Sequence, residues 1–173
     1  MLGSNKNRLL KFLVMTLTVI YLGIFPLTAI AAVESPVAPA SFSTQQAAVD
    51  YYLALVEQLD VTTAINKSVF YSGPGNRKQA ETYAIAEDKT TLEMTVGGKV
   101  LDDLKLFEQG SPLTPAQATR VWSRLSQRYA QQAAGDVLCF VTGARPTGVF
   151  TTVELPALKK NRKVGTIYNV SRL

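Results

Sequence analysis

Residues 137–141, Val-Leu-Cys-Phe-Val, form a continuous apolar run two residues after Gly135, and this run decides the fold. A short apolar run with no polar alternation is typical of a strand that is buried on both faces. Residues 149–155 and 164–170 are predicted as the next strands, and 156–160 is long enough for a short crossover between them. The carboxyl-terminal part of the chain therefore predicts a small, mainly parallel β-sheet.

The spacing of apolar residues before this run predicts three helices. The first begins after a cap at Ser43 or Thr44, and its apolar stripe continues to Leu59. The second covers 76–86, after a turn rich in glycine and proline. The third covers about 114–134, with threonine as the cap, proline at its first position and glycine after its end. The expected fold class is α/β, with a helical amino-terminal half packed on the sheet.

Residues 1–32 have the three-part layout of a secretory signal peptide. Three basic residues are followed by an uncharged stretch over 12–33, and small residues at 29–32 provide a cleavage site. The alternative is an uncleaved membrane anchor, because an uncharged run of this length can span a bilayer. We expect a secreted or periplasmic protein with a linker at 33–42 and one folded domain at 43–173.

Composition excludes several classes of function. The signal segment holds three of the 18 basic residues and none of the 13 acidic ones, so the remainder carries only +2. This charge is too small to indicate nucleic-acid binding. The absence of histidine excludes His-based triads and His metal sites, and no metal is expected. Cys139 is the only cysteine, so the chain forms no internal disulfide.

Two glutamates in apolar surroundings are the first candidates for chemistry. Glu93 and Glu154 each lie in a predicted apolar strand, where a carboxylate is costly unless it is paired or functional. The alternative for each is a carboxylate at a strand end that points to solvent. In a histidine-free exported protein, two such carboxylates favour glycosyl-type chemistry, in which they stabilise an oxocarbenium-like transition state.

Aromatic and hydroxyl residues provide further candidates. Trp122 and Ser126 are four residues apart on the third predicted helix and therefore share one face; the alternative is a core tryptophan beside a surface serine. Tyr71 and Ser72 precede the second helix, where backbone amides and a hydroxyl can meet a phosphate. The basic run at 159–163 is interpreted as a solvated loop.

A series of short motifs extends from about Val69 to Val170. It consists of Phe70-Tyr71-Ser72, Thr91-Leu92-Glu93-Met94-Thr95, Gly98 with Leu101-Asp102-Asp103-Leu104, the Val-Trp-Ser-Arg-Leu-Ser-Gln-Arg-Tyr-Ala stretch at 121–130, Gly143-Ala144-Arg145, and Val153-Glu154. In order and near-equal spacing, this series resembles the ADP-ribosyl cyclase/cyclic ADP-ribose hydrolase family of NAD glycohydrolases.

The resemblance implies a catalytic set of three residues. Glu154 matches the catalytic glutamate, which holds the ribose hydroxyls and stabilises the cationic sugar once nicotinamide leaves. Trp122 matches an aromatic wall of the active site. Glu93 matches a carboxylate that meets the nicotinamide end. NAD or NADP is then the substrate rather than a cofactor, and no other cofactor is implied.

Four further positions are substrate-binding by the same resemblance. Tyr71 matches a second aromatic residue, and Ser72 matches a phosphate contact. Asp102 matches another carboxylate at the nicotinamide end, and Ser126 matches a hydroxyl beside the reacting sugar.

Departures from the family pattern bear on the product. Tyr71 replaces a tryptophan, Met94 replaces an aspartate, and Val149 lies near a position that is polar or aromatic in relatives. The family's disulfides are absent. We therefore expect an exported NAD glycohydrolase with cyclisation as a minor outcome. The alternatives are an ADP-ribosyl cyclase and a catalytically inert exported binding module. No nucleic-acid partner is expected. Contact with a membrane is expected only through an uncleaved amino terminus.

Overall fold

The computed structural model describes residues 41–170 of the 173-residue chain. The predicted signal peptide at 1–32 and most of the predicted linker, 33–40, lie outside the described residues. Within the described range, every helix is too short or too polar to cross a membrane.

Five α-helices and three strands make up the described part of the chain. The helices are α1 (Gln45–Gln58), α2 (Asn76–Ala86), α3 (Val96–Asp103), α4 (Pro115–Gln132) and α5 (Leu155–Lys160). The strands are β1 (Val69–Tyr71), β2 (Gly135–Phe140) and β3 (Val164–Asn169). A 3₁₀ turn covers Leu92–Met94 and a π-helical turn covers Phe150–Glu154.

The predicted helix starts are confirmed by their caps. The Thr44 side chain accepts a hydrogen bond from the Ala47 amide at the start of α1. Thr114 forms a reciprocal capping box with Gln117 at the start of α4. Such caps satisfy amide groups that have no partner within the helix. Helix α4 ends at Gln132, and Gly135 has a left-handed backbone (φ 71°) at the start of β2.

The three strands form one parallel sheet in the order β1-β2-β3. The α/β fold class, with a helical amino-terminal half and a small parallel sheet, is confirmed. On one face, Val137 and Cys139 belong to the main core with residues of α1, α4 and α5. On the other face, Phe140 packs with Ala80 and Ala84 of α2. Strand β2 is therefore central and covered on both faces, as its continuous apolar run predicts.

The strand predicted at 149–155 is wrong, because this segment is the π-helical turn followed by the start of α5. The hydroxyls of Thr151 and Thr152 donate to the carbonyls of Arg145 (3.0 Å) and Gly148 (2.9 Å). These bonds favour a helical turn over a strand even though the residues are β-branched. Phe150 and Glu154 are both buried as a result.

The strand environment predicted for Glu93 is also wrong, because Leu92–Met94 is a 3₁₀ turn. The Thr95 hydroxyl donates to the Leu92 carbonyl (2.6 Å) and accepts from the Gly98 amide (2.9 Å). One side chain therefore closes the turn and caps α3. The sequence patterns missed both α3 and the short strand β1.

Candidate active site

A pocket of about 190 Å³ lies at the carboxyl end of β1. The carboxyl ends of parallel strands are the usual position of ligand sites in α/β sheets. The 3₁₀ turn, α4 and the π-helical turn form the other walls. The lining residues are Val69, Phe70, Tyr71, Ser72, Leu92, Glu93, Trp122, Ser126, Tyr129, Val149, Phe150 and Glu154.

Six of the seven site residues predicted from the sequence line this pocket: Tyr71, Ser72, Glu93, Trp122, Ser126 and Glu154. They come from four separate elements of the chain. Their chemical roles remain predictions. The seventh, Asp102, is not among the lining residues.

Helix α4 contributes Trp122 and Ser126, which are one turn apart on the same face. Trp122 is half-buried: it packs against the main core and also lines the pocket. The two interpretations of this tryptophan are therefore compatible, since one ring serves both the core and the pocket wall. Ser126 is buried, which is unusual for a serine unless its hydroxyl has a partner.

Glu154 is the most deeply buried acidic residue of the described chain, with 7% of its surface exposed. Burial raises its pKa from 4.5 to about 8, and the nearby charge of Glu93 also raises it. A hydrogen bond from the Ser126 hydroxyl acts in the opposite direction and favours the carboxylate. A titratable group with this perturbation in the wall of a pocket is a strong candidate for a functional group.

Glu93 is positioned by a close approach between α3 and the 3₁₀ turn. A Cβ atom on Gly98 would overlap the Leu92 carbonyl oxygen, so only glycine permits this packing. The Tyr71 hydroxyl donates a hydrogen bond to Oε1 of Glu93, whereas the buried Oε2 has no hydrogen-bond partner within the described structure. Burial raises the pKa of Glu93, and the bond from Tyr71 and the charge of Arg77 partly offset this effect.

Asp102 lies on α3 with 40% of its side chain exposed and contacts Arg77, with 3.6 Å between Nη2 and Oδ2. Arg77, which was not predicted as a site residue from the sequence, also pairs with Glu81 at 2.8 Å. Its position in the first turn of α2, directly after the carboxyl end of β1, was an available signal. Arg77 therefore links Asp102 electrostatically to the pocket.

Ser72 lies between the end of β1 and the start of α2. The Asn76 side chain donates to the backbone carbonyls of Ser72 and Thr142, so it fixes the loop against the end of β2. Helix α2 begins four residues after Ser72, which lines the pocket. A helix amino terminus with an adjacent hydroxyl is a favourable environment for an anionic group such as a phosphate.

The pocket contains carboxylates, hydroxyls and aromatic rings. Among residues 41–170, no group of three or more potential metal-ligating side chains is present. The buried carboxyl group of Glu154 and the half-buried one of Glu93, beside an aromatic wall, can stabilise a positive charge that develops near them.

Comparisons with known proteins agree with the motif series. A family model described as ADP-ribosyl cyclase matches residues 33–170. No curated protein matches the chain significantly.

Three solved structures are similar in fold and sequence. Aplysia cyclase complexed with the substrate NGD and the product cGDPR has a TM-score of 0.50 and 27% identity, over 62% of this chain and 49% of that one. A mutant ADP-ribosyl cyclase has a TM-score of 0.55 and 25% identity, over 70% and 55%. Porcine CD38 with a covalent intermediate, ribo-F-ribose-5′-phosphate, has a TM-score of 0.53 and 25% identity, over 69% and 59%. This chain thus matches between about half and three fifths of each.

Proposed function

The chain belongs to the ADP-ribosyl cyclase family, and from this premise we propose that it is an exported NAD glycohydrolase that releases nicotinamide and leaves ADP-ribose. The observation that carries the proposal is the buried carboxyl of Glu154, which shares one pocket with Trp122 and Ser126. Two of the similar proteins have structures with bound ligands. Aplysia cyclase is complexed with the substrate NGD and the product cGDPR, and porcine CD38 with a covalent intermediate, ribo-F-ribose-5′-phosphate.

The pocket volume of about 190 Å³ fits the reacting end of NAD rather than the whole dinucleotide. In this proposal the nicotinamide ring lies against Trp122. The carboxyl group of Glu93, which also lines the pocket, lies at the carboxamide end of that ring. The diphosphate extends past Ser72 toward the amino terminus of α2, where backbone amides face an anion.

In the first step, the bond between C1′ of ribose and the nicotinamide nitrogen breaks. The bonding electron pair leaves with the nitrogen, so nicotinamide departs neutral and the positive charge moves to the sugar. The carboxylate of Glu154 stabilises this oxocarbenium ion in a site that excludes most water. The pKa of Glu154 is about 8 in the free protein. The positive charge of the nicotinamide ring of bound NAD favours the charged form of this carboxyl, so a proton is released on binding.

In the second step, a water oxygen attacks C1′ and loses one proton. The overall products are ADP-ribose, nicotinamide and one proton. Attack by an adenine nitrogen of the same molecule instead of water would give the cyclic product, so access of water to C1′ determines the outcome.

The direct test is product analysis after incubation of the purified protein with NAD. We expect nicotinamide and ADP-ribose in equal amounts by chromatography. Cyclic ADP-ribose as the main product would instead identify a cyclase. A folded protein that releases no nicotinamide would reject the enzymatic proposal and leave an inert binding module.

Export is a separate part of the proposal, supported by the charge layout and small residues of the first 32 positions. The expected mature amino terminus is Ala32 or Val33. Mass spectrometry of the exported protein measures it. An intact Met1 terminus in a membrane fraction would support an uncleaved anchor instead.

A further inference from the structure

A groove of about 970 Å³ lies apart from the active-site pocket and is not lined by Glu154. It is lined by parts of α1, α4, the π-helical turn, α5 and residues 161–163, and we call it the basic groove. Helix α4 separates it from the active-site pocket. Ser123 and Gln127 line the groove, whereas Trp122 and Ser126 line the pocket.

Positive charge is concentrated in the basic groove. It is lined by five of the 14 basic residues in 41–170 but by only one of the 12 acidic residues, Glu57. Glu57 is neutralised by Arg124, with 2.9 Å between Nη2 and Oε2. The other four cations have no acidic partner within the described chain: Arg120, Lys160, Arg162 and Lys163. The basic run interpreted as a solvated loop therefore borders a large concave surface.

The rest of the lining restricts the class of ligand. Leu53, Val153, Pro156 and Ala157 add an apolar surface between the cations. The groove is lined by no aromatic residue of the described chain, so it lacks the stacking platforms that single-stranded nucleic acids use. Its concave shape does not match a flat membrane surface. Carboxylates interspersed with aliphatic side chains are the complementary chemistry.

We propose that the basic groove is a docking site for an acidic polypeptide segment of a partner protein. Glutamate or aspartate side chains of that segment pair with the four unpartnered cations, and its aliphatic side chains contact the apolar surface. The groove and the active site share walls, because Thr152 and Val153 face the groove while Glu154 of the same turn faces the pocket. Occupation of the groove therefore restrains the turn that carries Glu154 and alters turnover.

The probe is a fluorescein-labelled peptide of about 12 residues, rich in glutamate and leucine and roughly 40 Å long when extended. Fluorescence anisotropy measures its binding to the full protein. We expect saturable binding that weakens as salt rises. The double variant Arg120→Glu/Lys160→Glu should weaken binding by about tenfold or more, because like charges replace attraction with repulsion. The matched control Lys78→Glu/Lys99→Glu has the same change in net charge, lies outside the groove and should bind like the wild type.

Three results would overturn the proposal. Equal loss of binding in both double variants would show that only net charge matters. Binding of inorganic triphosphate or an oligonucleotide in the groove as tight as that of the peptide would assign it to polyanions in general. A dimer that Arg120→Glu/Lys160→Glu dissociates in light scattering would assign the groove to a second copy of this chain.

The coupling to the active site is tested by nicotinamide release with and without saturating peptide. We expect the peptide to change kcat, and the same peptide concentration to have a clearly smaller effect on Arg120→Glu/Lys160→Glu, which binds it about tenfold or more weakly. Unchanged kcat and KM with peptide bound would refute the coupling through the π-helical turn. This measurement rests on the proposed function, whereas anisotropy does not. If the protein binds the peptide but cleaves no NAD, the proposed enzymatic function is rejected and the proposed docking site is supported.

Discussion

The buried carboxyl of Glu154 makes the stability of the fold depend on pH. Its pKa rises from 4.5 to about 8 on folding. The folded protein therefore holds a proton over a range in which the unfolded chain has lost it. This contribution to stability is fully present below a pH of about 4.5 and is lost as the pH rises through about 8. At 1.36 kcal/mol for each unit of pKa, the shift corresponds to about 5 kcal/mol.

The variant Glu154→Gln removes this titration and keeps the shape of the side chain. Denaturant unfolding, followed by the fluorescence of the single tryptophan, gives the free energy of unfolding at each pH. Between pH 5 and 9, we expect the wild type to lose roughly 4 kcal/mol relative to Glu154→Gln. The raised pKa of Glu93 is present in both proteins and largely cancels in the difference. The variant Glu108→Gln, at an exposed position, is the control and should run parallel to the wild type. A stability difference between Glu154→Gln and the wild type that stays constant with pH would refute the reasoning.

Three further predictions concern the pocket. If the reaction needs the Glu154 carboxylate, kcat/KM for nicotinamide release should fall about tenfold for each pH unit below a midpoint near 8. The pH midpoint of kcat should be lower, because the positive charge of bound NAD favours the carboxylate. A flat profile from pH 6 to 9 contradicts this. Tyr71→Phe leaves half-buried Glu93 without its donor and should destabilise the fold by about 1–3 kcal/mol. It should also weaken substrate binding, measured as a higher KM. An unchanged free energy of unfolding and an unchanged KM would show that Tyr71 does not act in the site. Trp122→Ala should reduce turnover strongly while Trp122→Phe retains part of it, and unfolding of both variants in circular dichroism would indicate a purely structural tryptophan.

The regular elements of the fold were predictable because their signals are local. The bounds of α2 at Asn76–Ala86 follow from the turn before it and the spacing within it. The apolar run at 137–141 correctly indicated a covered central strand, since a strand between two layers has no solvent face. Strand β1 spans three residues, Val69–Tyr71, which is too short to show a period.

The geometry of the site was less predictable because it depends on contacts between distant segments. Residues 149–155 are mostly apolar or β-branched, as in a strand. Only the hydrogen bonds from Thr151 and Thr152 to earlier carbonyls show that the backbone is a π-helical turn. The motif series nevertheless identified Glu154, because a motif does not depend on the backbone conformation. The position of the Asp102 side chain, unlike the identity of Glu154, could not be predicted from a motif. It depends on how α3 packs at Gly98, and the carboxylate lies beside Arg77.

Nicotinamide release by Glu154→Gln tests the central claim most directly, namely that Glu154 supplies the negative charge opposite the developing cation. Assays at pH 9, above the pKa of about 8, compare a charged wild-type carboxylate with a neutral amide of the same shape. We predict a loss of turnover on the order of a hundredfold or more, with circular dichroism showing an intact fold. Glu93→Gln should lose less, because its inferred role is to orient nicotinamide. A folded Glu154→Gln protein that releases nicotinamide at nearly the wild-type rate would contradict the account.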